Sequence, residues 1–435
     1  MLLRTVLRTS AATRALPFLV GFVLVALGDD LTAWVTPAYG LSAAGHATFA
    51  LPFVCAACAA AGAWEAGRLH RGRVFDHSPV RSPLTITAPV LLPVAVMGAL
   101  GMAAALGSTA LAGSTASGVP QPGVLAVWAG LLVANTLVGS IVGRVLASVL
   151  AVPLALISSF VLNAYPASFD EFWLRHLVGG GLSDCCSVDQ VLDERAVLSA
   201  LAFSGAVSAA AVLVIRRRGA PIALATGLAV TAGGIGLAAH LAQDLGPTPV
   251  LARPASALVC DGERPRICLW PELGGARSGA VREEARRVVT TLASGGVPVP
   301  GVLTMAAQPG PGEAKFGIPT TARAADVMPG VVGGLVPRVP ACALHGDSYP
   351  AGVAAGPVTA WLTAKAAPGS APHPAGGRFG EADVALAEQV LRLPPEAQLN
   401  WYQRNAEAMR RCDAPPALTP PAPAAPAALA DGGDR

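Results

Sequence analysis

Residues 86–107 read ITAPVLLPVAVMGALGMAAALG, a run with no charged side chain. A helix rises about 1.5 Å per residue, so this run can cross the roughly 30 Å hydrocarbon core of a bilayer. Its apolar residues are continuous rather than alternating, which excludes a barrel strand and leaves a helix, the segment that satisfies its own backbone hydrogen bonds in lipid. Further stretches of the same kind cover 16–34, 44–64, 124–143, 145–164, 196–215 and 220–241. The expected fold is an all-α polytopic membrane bundle of about seven transmembrane helices over 16–244, followed by a small mixed α/β domain.

Composition supports this, with 53% hydrophobic and 13% charged residues, a balance that bulk-soluble domains do not carry. Net charge is only +3, so the placement of the arginines carries the information. Arg4, Arg8, Arg14, Arg68, Arg71, Arg73, Arg81, Arg144, Arg216, Arg217 and Arg218 all fall on one side of the expected bundle, against Arg175 and Arg195 on the other. Short-loop arginines mark the cytoplasmic side. The N-terminus is therefore expected inside and residues 245–435 outside, in a multi-pass plasma-membrane protein whose immediate partner is the lipid bilayer. LPFLVGFVLVALG after Arg14 has the look of a signal sequence, but no A-x-A-like site follows cleanly, and a retained helix is expected. In residues 1–15, Leu2, Leu3, Val6 and Leu7 recur with Arg4 and Arg8 between them, as in a cytoplasmic interfacial amphipathic helix; an unstructured positive tail is the alternative.

Cys55 and Cys58 lie within an apolar run and read as packing residues, since no second pair completes a metal site. The other six cysteines fall in segments expected outside, where disulfides persist. Two β-prone runs flank Asp261-Gly262, so Cys260 and Cys268 can bridge a hairpin. A bridge from Cys342 to Cys412 would fasten the last helix, although six cysteines permit fifteen pairings. Cys185 and Cys186 are open to a vicinal bridge, a bond to another chain, or the reduced state.

After a linker, GPTPVLARPA, the segment 245–412 is expected to form the outer, disulfide-stapled domain. Val281, Ala285, Val288, Val289 and Leu292 share one face of an amphipathic helix that ends at Gly295. Residues 297–380 are rich in Gly, Pro and Ala with scattered short apolar runs and read as a loop-rich middle whose fold the sequence leaves open. Helices are expected again from near Gly380 to Leu393 and from Pro394-Pro395 onward. Trp270 and Trp401 read as core by preference, and residues 413–435, dominated by Pro and Ala, as a disordered tail.

AWEAGRLHRGR (63–73), GRVLASV (143–149), WLRHLVGGGLSDCC (173–186), LDERA (192–196) and VCDGERPRICLWPEL (259–273) together resemble actinobacterial multi-spanning proteins described as ABC-transporter-permease-like. The resemblance implies an extracytoplasmic C-terminal cysteine-pair domain and a permease-like role in export.

The chain contains no glycine-rich loop ending in Gly-Lys-Ser/Thr, so any ATPase must be a separate ATP-binding subunit. It also lacks H-E-x-x-H and G-x-S-x-G. His345, Asp347 and Ser348 are too close in sequence for a hydrolase triad and read as a turn. No enzyme activity, cofactor, metal or nucleic-acid partner is expected. GGIGLAA (233–239) and the Gly139/Gly143 pair sit inside apolar runs, where glycines let helices approach closely. Asn135, Thr136, Asn163 and His240 are the sparse polar groups of the runs, expected in structural or solvated roles. Glu65 can pair with Arg68 one turn on. With Arg71 and Arg73 these form the candidate contact for a cytoplasmic partner, or else an ordinary positive anchor. The expected function is a permease-like export subunit, homo- or hetero-oligomeric. The alternative is a non-transporting sensor, receptor or assembly protein that displays the outer domain.

Overall fold

The computed structural model describes residues 8–77, 82–113, 121–217, 220–344, 348–367 and 379–420. Two compact units divide the chain after Arg253.

The N-terminal unit is a membrane-protein-like helical bundle. Its helices of more than ten residues are α1 (Ala11–Gly21), α2 (Leu51–Arg71), α3 (Pro83–Ala112), α4 (Pro122–Val145), α5 (Ser148–Ala164), α6 (Glu194–Arg216) and α7 (Pro221–Ala242). Local signals start them. The Ser82 hydroxyl accepts the Thr85 N–H at 3.2 Å, and the Asp193 carboxylate accepts the Arg195 N–H at 2.9 Å. Pro83, Pro122 and Pro221 occupy first positions, where a missing N–H costs nothing. Among the described residues, six helices are long and apolar enough to cross a membrane: Gly40–Arg71, Pro83–Ala112, Pro122–Val145, Ser148–Ser168, Glu194–Arg216 and Pro221–Ala242.

The first expected span, 16–34, departs from a regular helix. It is built from α1, a π-helical turn at Phe22–Ala26 and a short helix at Gly28–Thr32. Its buried residues Leu19, Val23, Leu27 and Leu31 recur every four positions. A spacing of four drifts against 3.6 per turn, and the wider π turn takes up that drift, keeping the stripe on α3. The segment still runs the height of the bundle. At one end the Ala11 N–H meets Glu65 near the end of α2; at the other, the Ala38 N–H donates to the Gly113 carbonyl just past α3. Leu2, Leu3, Val6 and Leu7 lie outside the described residues.

α2 is the bundle's axis and packs on α3, α4 and α5. A methyl at Gly139 would overlap the Ala59 carbonyl, and one at Gly143 that of Ala63, so α4 touches α2 backbone to backbone. Gly234 lies against the Ala206 side chain of α6, whereas Gly233 and Gly236 face open space. α5 and α7 turn Leu150, Leu154, Ile157, Ile222 and Leu228 outward with no protein cover, the surface that lipid contact requires.

At the bundle end opposite Glu65, β1 (Gln190–Leu192) pairs antiparallel with β2 (Val250–Ala252), Val191 facing Leu251. Residues 245–253, expected to open the outer domain as a linker, thus belong to the bundle. Arg253 holds them there, its N–H donating to Asp189 O at 2.9 Å and its guanidinium to Val188 O at 3.1 Å.

The C-terminal unit carries one sheet in the order β3 (Val259–Asp261), β4 (Arg266–Leu269), β5 (Val302–Thr304), β6 (Glu313–Lys315); β3 and β4 are antiparallel and the rest parallel. Its helices are α8 (Gly275–Ser294), α9 (Ala324–Leu335), α10 (Ala355–Ala366), α11 (Glu381–Leu391) and α12 (Pro395–Ala408). The stripe Val281, Ala285, Val288, Val289 and Leu292 of α8 is buried. Trp361 stacks on Tyr402 and meets Trp401 edge-on, while the Trp270 indole donates to Met305 O at 3.1 Å. Residues 297–380, expected as a loop-rich middle, hold α9 and α10. Pro329 and three glycines make AADVMPGVVGGL a poor helix by propensity, yet Gly330 against Phe316 and Ile318 lets tertiary packing override it. Residues 413–420, expected to open a disordered tail, are instead held against α12. Asn405 exchanges two hydrogen bonds with Ala417, both at 3.0 Å, and the Trp401 indole donates to Leu418 O at 3.3 Å. Residues 421–435 lie outside the described set.

Candidate functional site

The four residues proposed from sequence as a partner contact gather at one end of the bundle. Glu65 sits nearly two turns before the end of α2 and is buried, with 2% of its side chain exposed. One oxygen accepts the Ala11 N–H at 2.5 Å, and the other pairs with Arg68 at 2.9 Å. Arg68 also donates to Thr9 O at 2.7 Å. A buried carboxylate is costly unless it is paired and hydrogen-bonded, and here each oxygen has a donor, one a cation and the other a backbone amide. Arg71 donates to the Ser148 hydroxyl at the start of α5 and lies 5.9 Å from the Trp64 ring centre. Arg73 adopts φ 47°, the left-handed region, as the chain turns out of α2, with its N–H on His70 O at 3.0 Å.

In the sequence Arg144 reads only as a loop arginine. It donates to Thr87 of α3 at 2.5 Å and lies 4.7 Å from the ring centre of Phe75, within the short helix Val74–His77. Ser148, Thr87 and Thr9 were also missed as partners; a hydroxyl or carbonyl at a helix end gives no signal in sequence until its neighbour is known. The outcome is a knitted polar surface joining the segment before α1 to α2, α3, α4 and α5.

The opposite end is closed differently. Arg195 holds the Asp193 carboxylate in a fork, at 2.8 Å and 3.2 Å, and this hydrogen bonding keeps Asp193 below the usual carboxylate range. His176 is buried, with Nε2 3.0 Å from Gly246 O and Nδ1 packed on Gly181, where any side chain would collide with the ring. Burial, the largest influence, lowers its pKa. Between these ends, Ser159 and Asn163 of α5 both donate to the Asn135 side-chain oxygen of α4, at 2.7 Å and 3.2 Å. This is a hydrogen-bonded clasp between two helices.

In the C-terminal unit Cys260 stands directly opposite Cys268 in the β3–β4 ladder, and the two are bridged. Cys342 and Cys412 are bridged across a Cα separation of 6.4 Å, fastening the end of α12. Cys185 and Cys186 pair with each other, and Cys55 and Cys58 are buried thiols. His345 and Asp347 lie outside the described residues. Among the described residues no cluster of three His, Cys, Asp or Glu side chains could hold a metal.

A family model described as a domain of unknown function (DUF7224) matches residues 267–412, from within β4 to the second cysteine of the Cys342–Cys412 pair. No curated protein and no solved structure matches the chain.

Proposed function

We propose that this chain is the membrane-embedded, permease-like subunit of an export system that lacks its own ATPase. In this reading the arginine-rich bundle end faces the cytoplasm and the disulfide-stapled unit faces outward. The observation that carries it is the knitted surface around Glu65. Arginines that only anchor a helix need water and phosphate, whereas Arg68, Arg71 and Arg144 each bond a neighbouring segment and give the end a defined shape. A shaped polar surface is what a separate ATP-binding subunit needs for docking, and the motif AWEAGRLHRGR lies on it. The chain itself performs no catalysis in this reading. Affinity purification from the native membrane is the test: an ATP-binding partner should co-purify, and Arg73→Glu should release it. Recovery of the chain without such a partner, or specific ATP turnover by the isolated chain, would contradict the proposal.

The alternative reading is a non-transporting sensor, receptor or assembly protein. It draws on the C-terminal unit, which closes its own tryptophan core under two bridges and matches a family model by itself. Deletion of the gene, with export and signalling measured side by side, separates the two.

A further inference from the structure

The C-terminal unit contains a solvent-open cleft of about 590 Å³, within the range of small-ligand sites. One wall is β6, the edge strand of the sheet. The facing wall is the last turn of α9 and the extended segment 336–339 after it, and Arg410 beyond α12 closes one end.

Three cations from three separate segments line this volume: Lys315, Arg338 and Arg410. The one carboxylate among them, Glu313, is engaged by the Gly310 N–H at 2.9 Å. The cleft is therefore net positive, and its low-dielectric walls concentrate that field. Neither arginine is tightly committed. Arg338 makes a 3.4 Å contact to Ala307 O, and Arg410 pairs with Glu407 where both side chains are more than 60% exposed, a pairing worth little in water. Each can turn its planar fork to an incoming carboxylate.

The walls also suit a main chain. Gly317 and Gly333 line the cleft with open space where a Cβ would stand, so bare backbone is accessible there. Pro309 and Pro337 stiffen the rim, and Val339, half exposed, offers apolar contact beside the charges. A positive cleft along an edge strand, with bare backbone and a stiff apolar rim, matches an extended acidic peptide. Its volume is much larger than a single phosphate requires. We propose that this cleft binds acidic peptide segments, with Arg338 and Arg410 receiving the carboxylates. The proposal concerns the C-terminal unit alone and stands whether or not the bundle serves export.

The test uses the detergent-solubilised full chain and three probes: a triglutamate peptide, a trilysine peptide and inorganic phosphate, with binding followed by calorimetry. Saturable triglutamate binding is expected, with no binding of trilysine and no competition from phosphate at equal concentration. Arg338→Glu should weaken it about tenfold or more, a loss of roughly 1.4 kcal/mol. Gly333→Trp keeps every charge and points into open space, so it should block binding while leaving thermal unfolding unchanged. Absence of triglutamate binding at about 1 mM, or binding indifferent to both variants, overturns the proposal. Equal competition by phosphate overturns the peptide assignment.

Discussion

The Glu65 carboxylate accepts the Ala11 N–H at 2.5 Å across 54 residues of sequence, so one buried acid joins the start of the first apolar segment to the end of the bundle's axial helix. The same carboxylate holds Arg68 at 2.9 Å. Glu65→Ala would leave the Ala11 amide and one face of Arg68 without partners. Breaking a fully buried pair costs about 3–5 kcal/mol, but Arg68 is 40% exposed and can turn to water, so a loss of about 1–3 kcal/mol is expected. Thermal unfolding in detergent measures it. Protease cutting before residue 20 should rise in parallel, and an unchanged melting temperature would show that the link carries no stability.

The backbone contact between α4 and α2 predicts a sharp size limit. Gly143→Leu must push α4 away from Ala63, and overpacking of this kind costs roughly 1–3 kcal/mol or more. Gly205→Ala faces open space and should fall within about 0.5 kcal/mol of the parent. Folded yield by size-exclusion chromatography compares the two; equal behaviour would refute the packing described.

The two bridges of the C-terminal unit differ in the loop they close, 8 residues of separation for Cys260–Cys268 and 70 for Cys342–Cys412. Chain entropy alone gives about 2.5 kcal/mol for the first and about 4 kcal/mol for the second. Cys342→Ser should therefore destabilise residues 254–412 more than Cys260→Ser. Limited proteolysis under non-reducing conditions ranks them, with the reverse order as the contrary outcome.

Much of this fold was legible because its signals are local. Continuous apolar runs, prolines at helix starts and the 281–292 stripe all report the backbone they adopt. α9 was hidden, since Pro329 and its glycines only make sense once Phe316 and Ile318 are seen packed against them. The π turn at Phe22–Ala26 was hidden for a related reason: the four-residue spacing of Leu19, Val23, Leu27 and Leu31 is satisfied only against α3. At the candidate site, Glu65–Arg68 was readable from i,i+3 spacing, whereas the links to Ala11, Ser148 and Thr87 are long-range and carry no sequence mark.

His176 gives the bundle a pH dependence of definite sign. Its folded pKa is lowered, by burial first and also by Arg175, while Gly246 O and Asp193 pull it upward. A His that is harder to protonate when folded leaves stability intact above its unfolded pKa of about 6.5; stability is lost as pH falls below that value. His176→Gln should flatten the stability profile between about pH 7 and pH 5. A parent protein that gains stability over that interval would contradict the assignment.

Orientation is the claim on which the functional reading depends, and labelling of single cysteines in intact cells tests it most directly. His70 is exposed at the arginine-rich bundle end, and Thr321 is exposed in the C-terminal unit. With a membrane-impermeant maleimide, Thr321→Cys should label in intact cells, and His70→Cys should label only after permeabilisation. Labelling of His70→Cys but not Thr321→Cys in intact cells would contradict the account.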